Sequence, residues 1–297
     1  VGTGPSDGTV TFGIDITGFT TRASQDGKSW SNDDQIGAFM FDTGMSQTLD
    51  NSANIPYTAS EDGRSVTFTS DTPLSLPKDG KPVGFAAYYP YQTTVQDLIY
   101  PVQLANQENG SASCDLMYAV SDKEYAYSET ADSHIPLTFS HQLTKVILKF
   151  VDKENRLLNV GKAMIQGMQG AASFDLKSAK LTPEGSDMEI TTYRNKSNGF
   201  YEAIILPSAI LDTHKVAFTA DGKSCEWAFT HTNINLPELR KGYQYIFTIQ
   251  VVAGIITGPA VVETIEEGNS SFPWGDGETT NGTAEAIVYE LAPKGEN

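Results

Sequence analysis

Hydrophobic and polar residues alternate in the segment between the two halves of the chain, residues 136–151. An alternation with a period of two is typical of a β-strand that buries one face. The apolar positions are Leu137, Phe139 and Leu143, followed by Val146, Leu148 and Phe150. Because the second group has the opposite parity, the pattern predicts a β-bulge here, or a strand that leaves one sheet and joins another.

The same segment has a second interpretation as a helix. Helical spacing is also satisfied by Leu143, Val146, Ile147, Phe150 and Val151, with Ser140 as the N-cap. We favour the strand, because Thr144, Val146 and Ile147 are β-branched and the flanking segments have strand patterns. Under either interpretation, the chain before and after this segment is predicted to form two separate β domains.

Both halves of the chain contain further segments with the pattern of strands. In the clearest one, Val10, Phe12, Ile14 and Ile16 alternate with polar residues or glycine. The candidates in the second half are Lys162–Met168, Ala172–Leu176, Met188–Tyr193, Phe200–Leu206, Lys215–Ala220, Ser224–Thr230 and Tyr243–Val252. About seven strands with short turns are typical of a β-sandwich. We therefore predict an all-β protein with an N-terminal domain over residues 1–136 and a C-terminal domain over residues 137–297.

The C-terminal tail has a different composition. Residues 254–259 and 268–282 are rich in Gly, Ser, Thr and Asn. The segment that follows, residues 284–291, alternates again and has Ile287, Tyr289 and Leu291 on one face. A flexible run before an isolated last strand is what a detachable strand requires, but a plain edge strand in its own domain has the same pattern.

Composition and charge limit the classes of function. The net charge of −17 repels phosphate backbones and argues against nucleic acid as a partner. The acidic residues are dispersed, which favours a role in solubility over a cation-binding site. No segment approaches the ~20 apolar residues of a membrane-spanning helix. The chain begins at Val1 without the features of a signal peptide, so we expect any targeting segment to be absent or removed.

Motifs for catalysis, cofactors and metals are missing from the sequence. The two cysteines, Cys114 and Cys225, are expected to be separate buried thiols rather than a disulfide. None of the four histidines has the i, i+4 partner of a zinc-binding helix. His141 alternates with apolar residues and is interpreted as an inward-facing histidine with a satisfied hydrogen bond. These observations predict a protein that is not an enzyme and that needs no cofactor or metal.

Tyrosines form two clusters, which are Tyr88, Tyr89 and Tyr91, and Tyr118, Tyr125 and Tyr127. Exposed rings could stack on the sugars of a glycan, whereas buried rings would belong to the core. We favour the core, because aromatic side chains contribute the largest burial energies in a β-sandwich. Ligand contact through Tyr88, Tyr89 and Tyr91 is the weaker alternative.

Short motifs in both halves can be compared with known families. They are IGAF at 36–39, AAYYPY at 86–91, DLMYA at 115–119, FSHQLTKV at 139–146, ASFDL at 172–176, IILP at 204–207 and LRKGYQY at 239–245. Together they resemble the fimbrillin family of Bacteroidetes, the Mfa-like proteins that build or tip type V pili. The motifs follow the order of the family and span nearly the whole chain.

The resemblance implies a fold and a function. The fold would be two transthyretin-like β-sandwich domains in tandem, which matches the two halves inferred above. The function would be that of a structural subunit of cell-surface fimbriae, exported through the outer membrane as a lipoprotein precursor. Its partners would be other fimbrial subunits and a trypsin-like protease. In polymerising members this protease cuts after a basic residue and releases the first strand, and the open groove accepts a strand from the next subunit.

This sequence has suitable residues at the positions that such a process needs. Arg22 is the first Lys or Arg in the chain, so a cut between Arg22 and Ala23 would release the Val10–Ile16 strand whole. Each emptied apolar pocket would cost roughly 1.5–3 kcal/mol, and an alternating strand could refill it. The candidate incoming residues are Ile287, Tyr289 and Leu291. An ordinary loop arginine at position 22 is the alternative interpretation.

Two other functions remain as alternatives at this point. A fimbrial tip adhesin would bind a glycan or a host protein without self-polymerising. An enzyme would need carboxylates brought together by the fold, and no motif supports one. The tail favours a stalk subunit, because a terminal tip has less use for a strand that can be donated.

Overall fold

The structure of the protein is a computed structural model. It describes residues 7–14, 30–49, 52–63, 65–130, 133–229, 236–252, 255–256 and 261–266. Within these residues the regular structure is almost entirely β-strand, with short 3-10 turns at Thr43–Met45 and Ala112–Cys114. The all-β fold class predicted from the sequence is therefore confirmed.

Eight strands of the first half form one sheet that closes on itself. The strands of this half are β1 (Thr11–Ile14), β2 (Gln35–Phe41), β3 (Ile55–Ala59), β4 (Val66–Thr69), β5 (Gly84–Tyr89), β6 (Ile99–Gln103), β7 (Met117–Val120), β8 (His134–Leu137) and β9 (Ser140–His141). All except β6 form an 8-stranded sheet in the order β8-β1-β4-β3-β2-β5-β7-β9. The two ends of this order, β8 and β9, are linked by Thr138 and Phe139. One continuous segment therefore joins both edges, and we call the result the closed sheet, because the chain itself, rather than hydrogen bonding between β8 and β9, connects its ends.

Aromatic side chains fill the interior of the closed sheet, which is the first core. The Trp30 ring packs edge-to-face against Phe68 and Phe139, with centroid distances of 5.2 and 5.8 Å. Phe139 belongs to the link between β8 and β9, so the segment that closes the sheet also fills it. Thr69 and Thr138 are exposed, as expected for a sheet with one face in solvent.

The second half forms two further sheets that enclose a second core. Its strands are β10 (Thr144–Val151), β11 (Gly161–Asp175), β12 (Lys180–Thr191), β13 (Tyr193–Arg194), β14 (Tyr201–Ile205), β15 (Ser208–Ala209), β16 (Lys215–Ala220), β17 (Lys223–Ala228), β18 (Glu238–Leu239), β19 (Tyr243–Val252), β20 (Ile255–Ile256) and β21 (Val261–Glu266). One sheet has the order β13-β14-β10-β19-β20, with β21 also paired to β19. The other has the order β12-β11-β16-β17, with β6 also paired to β11, and β15 pairs separately with β18. Phe150 of β10 meets Phe218 of β16 at 4.5 Å between ring centroids, which joins the two sheets.

The two halves of the chain are interlocked. β6 comes from the first half but pairs with β11, so it adds a strand to a sheet of the second half. β2 and β5 lie between the two cores, and their side chains are buried on both faces of the closed sheet. Phe39 and Tyr88, for example, belong to the second core, whereas Ala38 and Tyr89 belong to the first. The division of the chain at residues 136 and 137 stays a prediction.

The segment from 136 to 151 is extended and takes part in both halves. β8 and β9 pair within the closed sheet, and β10 lies between β14 and β19. Phe139 belongs to the first core, whereas Leu143 and Val146 belong to the second. The predicted strand that leaves one sheet and joins another is confirmed, and no helix forms there.

Two strands predicted separately in the second half are parts of one strand. Lys162–Met168 and most of Ala172–Leu176 belong to β11, whose pairing with β12 changes register twice. Gly167, with a φ of 75°, lies at the first irregularity, and a Cβ there would overlap the Thr213 carbonyl. The glycine therefore permits a bulge that keeps the strand continuous.

Cys225 and His141 have the environments predicted for them, whereas Cys114 is less buried than predicted. Both cysteines are thiols outside any disulfide, Cys225 buried and Cys114 half-buried, and burial raises the pKa of both thiols. His141 is buried, and its Nδ1 lies 2.7 Å from Oδ1 of Asp115. The interpretations of separate thiols and of an inward-facing, hydrogen-bonded histidine are confirmed.

Truncation of Phe150 is expected to destabilise the protein strongly. Its ring lies 4.5 Å from that of Phe218 and 5.4 Å from that of Tyr201. Phe150→Ala leaves a cavity in the second core, which should lower the free energy of unfolding by about 3–5 kcal/mol. The control is Leu157→Ala, because Leu157 is 52% exposed and should cost under about 0.5 kcal/mol. Urea unfolding measures both values, and equal losses would contradict the role of Phe150 in this core.

Candidate strand-exchange groove

β1 occupies an inner position in the closed sheet. It pairs in parallel with β8 and antiparallel with β4, so both of its edges are hydrogen-bonded. The residues before it extend this pairing: the Val10 N–H donates to the Leu74 carbonyl, and the Leu76 N–H donates to the Gly8 carbonyl, each at 2.9 Å. Removal of β1 would leave backbone donors and acceptors unpaired along both neighbouring segments.

The inward side chains of this segment lie in the first core. Val10, Phe12 and Ile14 are buried, with at most 1% of their surface exposed. The Phe12 ring is edge-on to Tyr57 and Phe85, at centroid distances of 4.7 and 5.6 Å. The three residues thus fill apolar pockets that would be empty without them.

Tyr57 forms a polar contact at the base of these pockets. Its hydroxyl accepts a hydrogen bond from the Leu74 N–H at 2.8 Å and donates one to the Val10 carbonyl at 3.3 Å. Burial raises the pKa of Tyr57 to about 12, so the hydroxyl stays protonated and able to donate. Tyr57 was not predicted as a site residue, although Tyr57 and Ala59 alternate as the buried positions of β3.

The outer face of β1 contacts a histidine of the neighbouring strand. Oγ1 of Thr11 lies 3.0 Å from Nδ1 of His134, the first residue of β8. The imidazole extends over Gly13, where a Cβ would overlap the ring. Glycine therefore allows the close approach of His134 to the β1 backbone.

Several predicted site residues lie outside the described part of the chain. They are Ile16 of the released strand, Arg22 and Ala23 at the proposed cut, and Ile287, Tyr289 and Leu291 of the candidate donor strand. Their roles stay predictions, so the groove is defined by Val10, Phe12 and Ile14 and by the residues around them.

The tyrosines proposed as weak ligand contacts are mostly in the interior. Tyr88 and Tyr89 are buried, and Tyr91 is half-buried. The Tyr88 hydroxyl donates a hydrogen bond to Oδ1 of Asn54 at 2.6 Å, and the Tyr89 hydroxyl donates one to Oδ1 of Asp34 at 3.0 Å. Packing in the interior explains Tyr88 and Tyr89. Tyr91 is the most solvent-exposed of the three residues.

Two other kinds of site are absent from the described residues. No helix among them is long and apolar enough to cross a membrane. No group of three or more His, Cys, Asp or Glu side chains among them could hold a metal ion.

Sequence comparison relates the chain to fimbrial proteins. A family model described as fimbrillin-like matches residues 21–268. A protein from Bacteroides uniformis named Fim1C, described as a candidate fimbrium subunit, is 27% identical over 298 residues, which cover 93% of this chain and 90% of that protein.

Solved structures with the same fold are also known. A candidate cell adhesion protein from Bacteroides uniformis has a TM-score of 0.69 and 24% identity, covering 87% of this chain and 98% of that one. A second candidate cell adhesion protein, from Bacteroides ovatus, has a TM-score of 0.60 and 18% identity, covering 87% and 96%. At these identities the likeness establishes the shared fold alone.

Truncation of Phe12 is expected to weaken the packing of β1 strongly. Phe12→Ala removes a buried ring between Tyr57 and Phe85, which should lower the free energy of unfolding of the uncut protein by about 3–5 kcal/mol. Thr69→Ala is the control, because Thr69 is exposed on the adjacent β4 and should cost under about 1 kcal/mol. Urea unfolding gives both values, and a loss for Phe12→Ala as small as the control would contradict the importance of this pocket.

Proposed function

Because the chain belongs to the fimbrillin-like family, we propose that it is a structural subunit of a cell-surface fimbrium. Copies would join head to tail when β1 of one copy is removed and a strand of the next copy takes its place. Other fimbrial subunits would then be its partners, and the subunit would need no catalytic activity of its own. The proposal includes two transthyretin-like domains, over residues 1–136 and 137–297.

The placement of β1 is the observation that supports this proposal. The strand is hydrogen-bonded on both sides and buries Val10, Phe12 and Ile14. It nevertheless precedes Arg22, the first basic residue of the chain, so one cut could release it whole. The remaining groove would combine apolar pockets with unpaired backbone groups, and an alternating apolar strand satisfies both.

A trypsin-like protease would act between Arg22 and Ala23. Before the cut, β1 is part of the same chain as its groove and therefore competes strongly with any strand from another copy. After the cut, β1 can dissociate, and the advantage of being in the same chain is lost. Export as a lipoprotein precursor would fit this order of events, because the subunit would stay monomeric until it reaches the protease at the cell surface.

Trypsin treatment of the folded protein tests this mechanism. We expect an early cut at Arg22, followed by a ladder of oligomers that resist SDS without boiling. Arg22→Gln should slow both steps, and Arg22→Gln with Lys28→Gln should abolish them, because no other Lys or Arg precedes Arg64. Mass spectrometry identifies the cut, and gels of unboiled samples show the ladder.

The control for this experiment is Arg156→Gln, since the Arg156 side chain is 74% exposed but lies in the second half. It should leave both the cut and the ladder unchanged. A wild-type protein that is cut cleanly but stays monomeric would overturn the proposal and favour the tip adhesin, for which glycan and host-protein ligands would then be screened.

Deletion of residues 284–297 tests the source of the incoming strand. The truncated protein should fold and be cut, but it should form no ladder, because it lacks Ile287, Tyr289 and Leu291. Deletion of residues 292–297 is the matched control, since it keeps the candidate strand and should still polymerise. Circular dichroism checks folding, and a ladder that persists in the longer deletion would show that another segment is donated.

A further inference from the structure

His134 contacts the outward positions of β1 rather than its buried side. It is exposed at the start of β8 and pairs in register with Thr11, whose Oγ1 lies 3.0 Å from its Nδ1. Its ring also covers Gly13, where a Cβ would overlap it. Any strand that replaces β1 therefore presents two outward residues to His134.

A replacement strand without glycine forces His134 to move. The candidate donor segment, residues 284–291, contains no glycine, so a Cβ would occupy the space above the position of Gly13. The imidazole of His134 could then no longer lie over the backbone at that position. With β1 gone, it would also lose its hydrogen bond with Thr11. The imidazole is exposed and can turn to whichever outward side chain the new strand provides.

The alternation of the donor segment identifies that side chain. With Tyr289 in the Phe12 pocket, a donor that runs in the direction of β1 has Glu290 at the position of Gly13. A donor that runs in the opposite direction has Glu290 at the position of Thr11. Both positions adjoin His134, so the same carboxylate reaches it in either orientation.

We propose that His134 pairs with Glu290 of a second copy and thereby restricts the register of the incoming strand. This inference rests on the proposed function. An imidazole N–H that donates to a carboxylate forms a charge-assisted hydrogen bond. With the donor parallel to β1, a shift by two residues that puts Val288 over Gly13 also puts Ala286 at the position of Thr11, and neither side chain can accept a hydrogen bond.

The surroundings of His134 favour this pairing. The outward residues nearest to it on β1, β4 and β8 are Thr11, Thr67, Thr69 and Pro136, all of them uncharged. A carboxylate arriving on this face therefore meets the imidazole without a competing charge from those residues. The inward pockets accept several apolar residues, so an outward contact of defined chemistry adds the discrimination that burial alone does not supply.

A charge exchange between the two residues tests the proposal in the full chain. His134→Asp should lower the yield of SDS-resistant oligomers after the trypsin cut roughly threefold or more, because two carboxylates would then face each other. Glu290→Lys alone should also lower the yield. The double variant, His134→Asp with Glu290→Lys, should restore the wild-type yield. Asp at 134 can still accept a hydrogen bond from Thr11, so the uncut monomer is expected to fold, and urea unfolding checks this.

The matched control combines His134→Asp with Glu285→Lys, which makes the same change of charge at the other acid of the donor segment. This pair should not restore the yield. Restoration by Glu285→Lys, or none by Glu290→Lys, would overturn the role of His134 while the wild-type ladder keeps the proposed function intact. Absence of a wild-type ladder would overturn both.

Discussion

The structure depends on one extended segment that is held by both halves of the chain at adjacent residues. The Gln142 N–H donates to the Leu116 carbonyl of the first half at 2.9 Å, and the Leu143 carbonyl accepts from the Gly242 N–H of the second half at 2.8 Å. Immediately before this point, His141 is paired with Asp115 at 2.7 Å in a site that excludes solvent. A buried hydrogen bond is costly to break, because it would leave polar groups unsatisfied, so this contact fixes where the chain leaves the closed sheet. The position of β8, and therefore one wall of the β1 groove, follows from it.

β1 is tightly packed, yet one cut after it would detach it from the rest of the chain. These two properties make exchange physically feasible under the proposed function. Its neighbours, β8 and β4, are each bound to further structure, β8 through the link to β9 and β4 through β3. The groove walls therefore have support of their own when β1 leaves. Among the described contacts, the loss comprises the pockets of Val10, Phe12 and Ile14, the paired backbone groups and the Thr11–His134 hydrogen bond. Another strand can fill the pockets and pair with the backbone groups.

The sequence predicted best the features that depend on local alternation. The sequence pattern predicted the inward residues of β1 and the change of parity between Phe139 and Val146. Both were predictable because one buried face imposes a period of two. The partner of a strand leaves no such signal, so neither the pairing of β6 with β11 nor the contact of His134 with Thr11 could be predicted. β12 was predicted too short, since its first half, which contains Pro183 and Gly185, has no regular apolar pattern.

A subunit that receives a strand in one groove must also discourage strands from adding elsewhere. β12 is an edge strand of its sheet, but Pro183 lacks an N–H, Gly185 has a φ of 76°, and Glu184 and Asp187 are exposed. These features make a poor template for strand addition. β14 lies between β13 and β10, and beyond its pairing with β13 its outer side is closed by a side chain. The Gln107 side chain accepts from the Ile204 N–H at 2.8 Å and donates to the Ile204 carbonyl at 2.7 Å. With these edges occupied or irregular, the β1 groove would offer a regular edge on both sides once β1 is removed. Under the proposed function, selectivity for the groove would then arise from these two edges as well as from its pockets.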